Sequence, residues 1–215
     1  ILSSFYKHYK NSFLIGYGEV DEYNRMKISS LLNFLQDIAT MHSKNIGYGT
    51  QKCYELKIGW MLLSWHIKFY SYPKGDTMIE IKTWSRKLKG AHAFRAFEIE
   101  DENGELVARV DSMWTLVNLE SGRPIRPFED MIQKYGEIDR MFFDEEKIKI
   151  DVPESWQDTL EMIVQRRDID TNRHCNNTKY MDFALEIIPE NVYKEKVINE
   201  LEVVYKKPVL YGEKF

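Results

Sequence analysis

Three polar side chains at alternate positions are the strongest chemical feature of this sequence. Asp170, Asn172 and His174 lie two residues apart within the run DIDTNRHCNN, residues 168–177. In an extended backbone, side chains two apart point the same way, so we expect the three groups to converge on one side of a strand or turn ahead of a helix. A carboxylate that activates water, an imidazole that transfers a proton and N–H donors for an oxyanion suit attack on a carbonyl. Spacing alone leaves two interpretations open, a hydrolytic site or a polar, well-capped turn.

A helix is predicted directly after this run. Asn176 or Asn177 is expected to cap its first turn, because a short amide side chain satisfies N–H groups that lack a partner there. The polar run would then enter a helix N-terminus, where the helix dipole favours developing negative charge. Four apolar residues recur at helical spacing and predict one buried face: Tyr180, Phe183, Ala184 and Ile187.

Composition limits the class of protein. The chain has 215 residues, 43% of them hydrophobic, which is enough for one large domain or two small ones. A net charge of −4 gives no basic excess for nucleic acid, and no apolar run approaches the roughly 20 residues that span a membrane. No cluster has metal-ligand spacing, so no cofactor is predicted.

The compartment is predicted from the cysteines and the first residues. Cys53 and Cys175 are too few for a disulfide framework, which favours a reducing cytoplasm. The first residues lack a charged segment and a cleavage site, so no signal peptide is predicted. The chain begins with Ile1 rather than Met, which is compatible with further residues ahead of it.

The first half predicts a long helix and an antiparallel sheet. Apolar residues recur at helical spacing from Ile28 to His42, and Gly47-Tyr48-Gly49 is a stop signal. Short turns such as 101–104 favour antiparallel neighbours. Residues 128–155 are charged and irregular, so we interpret them as a linker. The predicted strands are 13–17, 60–70, 77–84, 93–100 and 106–118.

The order strand, polar turn and apolar helix occurs twice. A shift of 148 residues places Asn24-Arg25-Met26 on Asn172-Arg173-His174 and residues 13–17 on 161–165. Met26 then occupies the His174 position, so only the second copy would keep the polar trio. A strand over 197–205 should follow. The second copy stops where the first has three strands to come, so we expect several tens of further residues, the alternative being a genuinely incomplete unit.

The run 168–180 resembles the signature of the acyl-ACP thioesterases, plant and bacterial. The likeness extends in order over about 13–213 and includes first-half segments 59–67, 72–76, 83–85 and 112–118. It implies an α+β, double hot-dog fold, in which each unit is a long helix wrapped by an antiparallel sheet. The resemblance divides the chain into an N-terminal hot-dog unit that binds the acyl chain (1–127) and a catalytic C-terminal hot-dog unit, apparently truncated (156–215). The linker (128–155) would join them.

The resemblance also implies an activity and a site. The activity is hydrolysis of the thioester between a fatty acyl chain and acyl carrier protein, and Asp170, Asn172 and His174 match the catalytic positions one for one. Pro208-Val209 stand where family members often carry Glu, sometimes followed by Cys, so the group that activates water stays open. An acyl-CoA thioesterase and a non-catalytic acyl-thioester-binding protein are the rival interpretations. Acyl carrier protein is the expected partner, and a homodimer is a further expectation.

Several other side chains have two interpretations. Cys175 invites a Cys–His nucleophile, although adjacent residues in an extended run point oppositely, which favours a bystander thiol. His42 fits a core histidine better than a ligand. Four tryptophans fit either the core or a tunnel wall: Trp60, Trp65, Trp84 and Trp114. Five basic residues fit either a solvated surface or contact with an acidic carrier protein: Arg86, Lys87, Lys89, Arg166 and Arg167.

Overall fold

The computed structural model describes residues 8–144, 148–156 and 159–214. A six-stranded sheet lies at its centre, in the order β1-β3-β4-β5-β2-β6, and every neighbouring pair is antiparallel. The six strands overlap the predicted ones, although β1 begins earlier and ends two residues sooner than predicted. They are β1 (His8–Ile15), β2 (Ile58–Phe69), β3 (Thr77–Lys89), β4 (His92–Asp101), β5 (Leu106–Asn118) and β6 (Glu200–Val204).

Helix α1 (Ile28–Asn45) packs its apolar stripe on this sheet. Leu35 and Ile38 are completely buried, and burying a side chain of this size contributes about 1.5–3 kcal/mol. The predicted stop is confirmed, since the helix ends just before Gly47, whose φ of +89° suits a residue without a Cβ. A short helix α2 (Thr50–Glu55) follows and leads into β2.

The turn between β4 and β5 confirms the hairpin predicted from composition. The Oδ1 atom of Asp101 accepts hydrogen bonds from the backbone N–H groups of Asn103 and Glu105, both at 2.9 Å. Gly104 has a φ of +80°, which glycine adopts at no steric cost. The two strands are therefore joined by a local side-chain bond as well as by their ladder.

The segment 128–155 contains a helix that the sequence analysis did not predict. Helix α3 (Glu129–Tyr135) buries Met131 and Tyr135 in a small second core beside the end of α1 and the start of β2. The first residues of the expected linker thus pack on the N-terminal unit. The division of the chain at 127 and 155 otherwise stays a prediction.

A tight polar turn precedes α1. The backbone N–H of Asp21 donates to the carbonyl of Arg25 at 2.8 Å, and the N–H of Asn24 donates to the carbonyl of Asp21. The Asp21 Oδ1 atom accepts from the N–H groups of Tyr23 and Arg25, both at 2.9 Å. Asn24 has a φ of +57°. The aspartate therefore closes its own turn, as Asp does in Asx-turns.

The turn before the second helix repeats these bonds. The N–H of Asp170 donates to the carbonyl of His174 at 2.9 Å, and the N–H of Arg173 donates to the carbonyl of Asp170. The Asp170 Oδ1 atom accepts from the N–H groups of Asn172 at 2.8 Å and His174 at 3.4 Å. Arg173 has a φ of +65°, as Asn24 has in the first turn. The polar turn of the predicted repeat thus occurs twice with the same hydrogen bonds.

The hydrogen bonds fix the offset between the copies at 149 residues, one more than predicted. The predicted shift of 148 residues, which placed Met26 on His174, is therefore wrong. In the structure Arg25 occupies the position of His174, and Met26 occupies that of Cys175. The next bonds agree, because the Met26 N–H donates to the Pro73 carbonyl and the Cys175 N–H donates to that of Val209.

The second unit is shorter and less regular than its sequence pattern predicts. Helix α4 (Lys179–Leu185) has seven residues and buries Met181, whereas Ala184 and Ile187 of the predicted apolar face are exposed. A separate helix α5 (Glu190–Glu195) follows Pro189. Over 161–165 the expected strand is reduced to one isolated bridge between Ile163 and Lys214.

Candidate active site

The turn of residues 169–176, called the site turn below, is held by its own aspartate. Its backbone is folded back, with an isolated antiparallel bridge between Ile169 and Cys175. Of the two conformations expected ahead of the helix, a strand or a turn, the structure has the turn. Asp170 and His174 lie opposite each other across the turn, and Asn172 lies at its tip, exposed.

A cavity of about 720 Å³ lies between the site turn and the N-terminal unit. Asp170 and Asn172 are among the residues that line it, and Asp170 is the one carboxylate among the lining residues of the described chain. The volume falls within the range of about 300–1,000 Å³ that small-molecule sites occupy. Much of the wall is apolar, with Ala39, Ile58, Leu88, Phe94, Trp114 and Leu119. The arrangement places a carboxylate and an amide where an apolar chain can enter.

His174 is not brought to the cavity with the other two predicted residues. Its side chain is half-buried and is not among the lining groups. Within residues 8–144, 148–156 and 159–214, no hydrogen bond joins the imidazole to the Asp170 carboxylate. The structure thus brings Asp170 and Asn172 together at the cavity and leaves His174 on the other arm of the turn.

The predicted cap of the first helical turn by Asn176 or Asn177 is wrong, because the N-cap of α4 is Thr178 and makes no side-chain cap bond. Asn176 instead closes the turn just ahead of the helix. The Asn176 Oδ1 atom accepts from the backbone N–H of Thr178 at 3.1 Å and from its hydroxyl at 3.2 Å. The hydroxyl of Tyr205 donates to the carbonyl of Asn177 at 2.9 Å, which ties the site turn to the end of β6. In the described chain the N–H of Asn177 has no partner, so it remains able to donate.

Between residues 200 and 214, no carboxylate is among the residues that line this cavity. Val209 contacts the site turn through its backbone carbonyl, which accepts from the Cys175 N–H at 2.8 Å. The Glu202 side chain lies 3.7 Å from the His66 imidazole and is not among the lining residues. Asp170 is therefore the carboxylate best placed to act on a ligand in the cavity.

Cys175 is a buried thiol rather than an activated one. It is 3% exposed, and burial raises its pKa to about 11, with the nearby Asp168 carboxylate adding to the effect. A thiolate is the reactive form, so this environment opposes nucleophilic attack near neutral pH.

We expect Cys175 to resist alkylation at pH 7.5, because a thiol with a pKa of about 11 is almost entirely protonated there. In a Cys53→Ala background, iodoacetamide should modify Cys175 far more slowly than it modifies a free thiol such as glutathione. Cys175→Ala should leave unchanged the rate of any reaction that the parent catalyses at this cavity. Rapid labelling, blocked by substrate, together with an inactive Cys175→Ala variant would restore the nucleophile interpretation.

The structure also separates the residues that the sequence left ambiguous. Trp60 and Trp114 line the cavity, whereas Trp65 and Trp84 are core residues, 0% and 1% exposed. His42 is a core histidine, as interpreted, and is completely buried.

The prediction that Arg86 could contact a carrier protein is wrong, because its side chain is buried. Arg86 is 1% exposed and cannot meet a partner at the surface. Arg166 and Arg167, next to the site turn, are exposed.

Sequence reasoning missed the polar groups inside the cavity. Arg95, Ser43 and Tyr135 belong to its lining and are each more than nine-tenths buried. The signal that could have found Arg95 is a cation within an otherwise apolar strand, Phe94-Arg95-Ala96-Phe97. No group of three or more His, Cys, Asp and Glu residues is placed to hold a metal ion in the part of the chain that is described.

The fold and the cavity define a hot-dog protein whose second unit closes a cavity in the first with a polar turn. Models of the acyl-ACP thioesterase N-terminal and C-terminal domains match residues 6–135 and 153–215. The chain therefore belongs to the acyl-ACP thioesterase family.

Individual proteins agree with this assignment. Oleoyl-acyl carrier protein thioesterase 2 of Arabidopsis thaliana is 27% identical over 93% of this chain, which spans 59% of that protein's length. An acyl-ACP thioesterase from Bacteroides thetaiotaomicron superposes with a TM-score of 0.85 at 23% identity, over 96% of this chain and 84% of its own. The 12:0-ACP thioesterase from Umbellularia californica gives a TM-score of 0.83 at 21% identity, over 96% and 80%. These likenesses confirm the α+β, double hot-dog fold class.

Proposed function

We propose that this protein hydrolyses the thioester bond of acyl-[acyl carrier protein] and releases a free fatty acid, which ends fatty acid synthesis. The observation that carries the proposal is the position of Asp170, a carboxylate in the wall of a largely apolar cavity. Family membership supports the reaction class. The relatives that are named for this hydrolysis are longer than this chain, so their activity is an expectation here.

Asp170 would accept a proton from the attacking water. Its Oδ1 atom is occupied by backbone N–H groups of the site turn, whereas Oδ2 has no hydrogen-bond partner in the described chain. The free oxygen can therefore orient and deprotonate water while the other holds the turn. Asn172, at the tip of the turn, would hold that water or the substrate through its amide.

The remaining steps need an oxyanion donor and an acid. Attack of the water oxygen on the thioester carbonyl gives a tetrahedral oxyanion. The N–H of Asn177, unpaired in the described chain, would donate to it, which requires the carbonyl to reach beyond the lining residues, since Asn177 is not among them. Collapse breaks the C–S bond, and the departing thiolate takes a proton. His174 would supply that proton, which requires its side chain to turn towards the cavity, since it is not among the lining groups.

The test is turnover of a defined substrate. Purified protein incubated with palmitoyl-ACP should release palmitate and free ACP thiol, measured by mass spectrometry and a thiol reagent. Palmitoyl-CoA, assayed side by side, decides between the carrier-protein thioesterase and the acyl-CoA thioesterase. Binding of acyl-ACP without release of fatty acid would contradict the proposal and favour a sensor or carrier.

Acyl carrier protein is the proposed partner, and Arg166 and Arg167 are exposed cations next to the site turn that would suit an acidic surface. No helix in the described ranges is long and apolar enough to cross a membrane. A cytoplasmic location and a homodimer stay proposals.

A further inference from the structure

The inner wall of the cavity carries a buried positive charge that no described carboxylate neutralises. Arg95 in β4 is 8% exposed and lines the cavity. Its Nη1 atom donates to His42 Nδ1 at 3.0 Å and to Thr83 Oγ1 at 3.1 Å. Because a guanidinium can only donate, Nδ1 of His42 must accept. Within the described chain, Arg95 thus has neutral hydrogen-bond partners and forms no ion pair.

Further hydrogen-bonding groups lie on the same wall. The Ser43 Oγ and Tyr135 hydroxyl oxygens are 2.5 Å apart, and the Tyr135 ring centroid lies 5.5 Å from the guanidinium carbon of Arg95. Among the described residues, the buried indole Nε1 of Trp60 interacts with the Tyr135 hydroxyl without the geometry of a full hydrogen bond, and Arg95 also interacts with that hydroxyl. All four residues line the cavity, so its wall combines an apolar surface with donors that share one neutral acceptor, the Tyr135 hydroxyl.

An unsubstituted acyl chain does not complement this wall. Burial lowers the pKa of Arg95, which reflects the loss of solvation of its charge. Leaving an ionised group in an apolar site without a counter-charge is strongly unfavourable. The last turn of α1, where His42 lies, supplies partial negative charge, but a helix dipole offsets only a small part of that cost. An alkyl chain that displaces water from the guanidinium offers it no acceptor.

We propose that this cavity selects acyl chains that carry an oxygen function, a hydroxyl, a ketone or a carboxylate, which accepts a hydrogen bond from Arg95. The remaining guanidinium N–H groups and the Trp60 Nε1 would donate to that oxygen. The inference rests on the proposed hydrolysis of acyl-ACP and names the class of acyl group within it. A site built to hydrogen-bond a substrate oxygen rejects the analogue that lacks it much more strongly than an apolar pocket rejects a longer chain.

The test compares acyl-ACP substrates of equal chain length that differ in one oxygen function. For wild type, kcat/KM should be at least about tenfold higher for the best of the hydroxy-, oxo- and ω-carboxy-acyl thioesters than for the unsubstituted chain. Arg95→Met, which keeps the length of the side chain but not its charge, should reduce that ratio to near one. Comparing the hydroxy-, oxo- and ω-carboxy-acyl substrates shows which of the three oxygen functions the cavity prefers.

Arg86→Met is the matched control. Arg86 is a second buried arginine with unpartnered Nε and Nη2 atoms, but it is not among the lining residues. Its loss should leave the substrate ratio unchanged. Should Arg95→Met fail to fold, Arg95→Lys keeps a charge without the planar fork and should lower the ratio partially. An equal preference for substituted and plain chains in wild type, or a ratio that Arg95→Met does not alter, would overturn the proposal.

A second measurement separates this inference from the hydrolysis itself. Trp60 and Trp114 line the cavity, so quenching of tryptophan fluorescence reports occupancy without turnover. Free hydroxy, oxo or dicarboxylic acids should bind wild type at least about tenfold more tightly than the plain fatty acid of equal length, and Arg95→Met should abolish the difference. This binding preference does not depend on catalysis, so it can be measured even if the protein hydrolyses no acyl-ACP. Hydrolysis of unsubstituted acyl-ACP without any preference for oxygenated chains would contradict this inference and leave the proposed hydrolysis intact.

Discussion

Asp170→Asn is expected to lower kcat for acyl-ACP hydrolysis by about 10²–10⁴-fold, because the variant cannot accept the proton of the attacking water. The substitution is well matched to the structure. An asparagine keeps the Oδ1 acceptor that holds the N–H groups of Asn172 and His174, so the site turn should persist. The measurement is fatty acid released from palmitoyl-ACP under saturating substrate, with thermal melting to show that the variant is folded.

The first turn provides a control of the same geometry. Asp21 makes the same backbone bonds as Asp170 and also pairs with Arg25 Nε at 2.8 Å, but it does not line this cavity. Asp21→Asn should lower the melting temperature through the lost ion pair while kcat stays within about twofold of wild type. Wild-type turnover in Asp170→Asn would remove the carboxylate from the mechanism. Equal losses in both variants would indicate a structural role for each.

Leu35→Ala is expected to reduce the free energy of unfolding by about 2–5 kcal/mol. Leu35 lies in the middle of α1, is completely buried and packs in the main core, where a removed side chain leaves a cavity. Urea denaturation followed by tryptophan fluorescence measures the change.

The neighbouring exposed position is the control for this substitution. Asn33→Ala on the same helix should change stability by no more than about 0.5 kcal/mol. A loss below about 1 kcal/mol in Leu35→Ala would mean that α1 does not pack on the sheet as described.

Elements with a long periodic pattern could be predicted from the sequence, and short ones could not. Helix α1 and the five strands of the first half contain enough residues for their apolar spacing to be distinctive. Helices α3 and α5 have seven and six residues, too few for such a pattern. Their positions depend on packing, as the burial of Met131 shows.

The register of the repeat was missed for a related reason. Helical stripes tolerate a shift of one residue, because apolar positions three and four apart both lie on one face. The two turns cannot be shifted by even one residue, because the hydrogen bonds of a single aspartate, Asp21 or Asp170, define each turn. Aligning Asp21 with Asp170 gives the correct offset of 149, so the conformational role of aspartate was a better guide than hydrophobicity.

The candidate site could be predicted only in part. The residue types at 170, 172 and 174 indicated the chemistry, and Asp170 and Asn172 do line the cavity. Their alternation suggested an extended segment, but a positive φ at Arg173 folds it into a turn and separates His174 from the others. Contacts between distant segments, such as Arg95 with His42, have no local pattern in sequence and require the fold.

The Asp21 turn has a second consequence through Arg25. Its guanidinium donates to the backbone carbonyls of Tyr193 and Lys196, in and just after α5, so the arginine fastens one half of the molecule to the other. In an assembly of two identical chains, every change to this turn would appear twice. Fusion of both halves into one polypeptide removes that restriction. One turn can then specialise in holding the two halves together, as the Asp21 turn does, while the other keeps the polar side chains of the site turn. A symmetric arrangement of two copies can in this way become asymmetric.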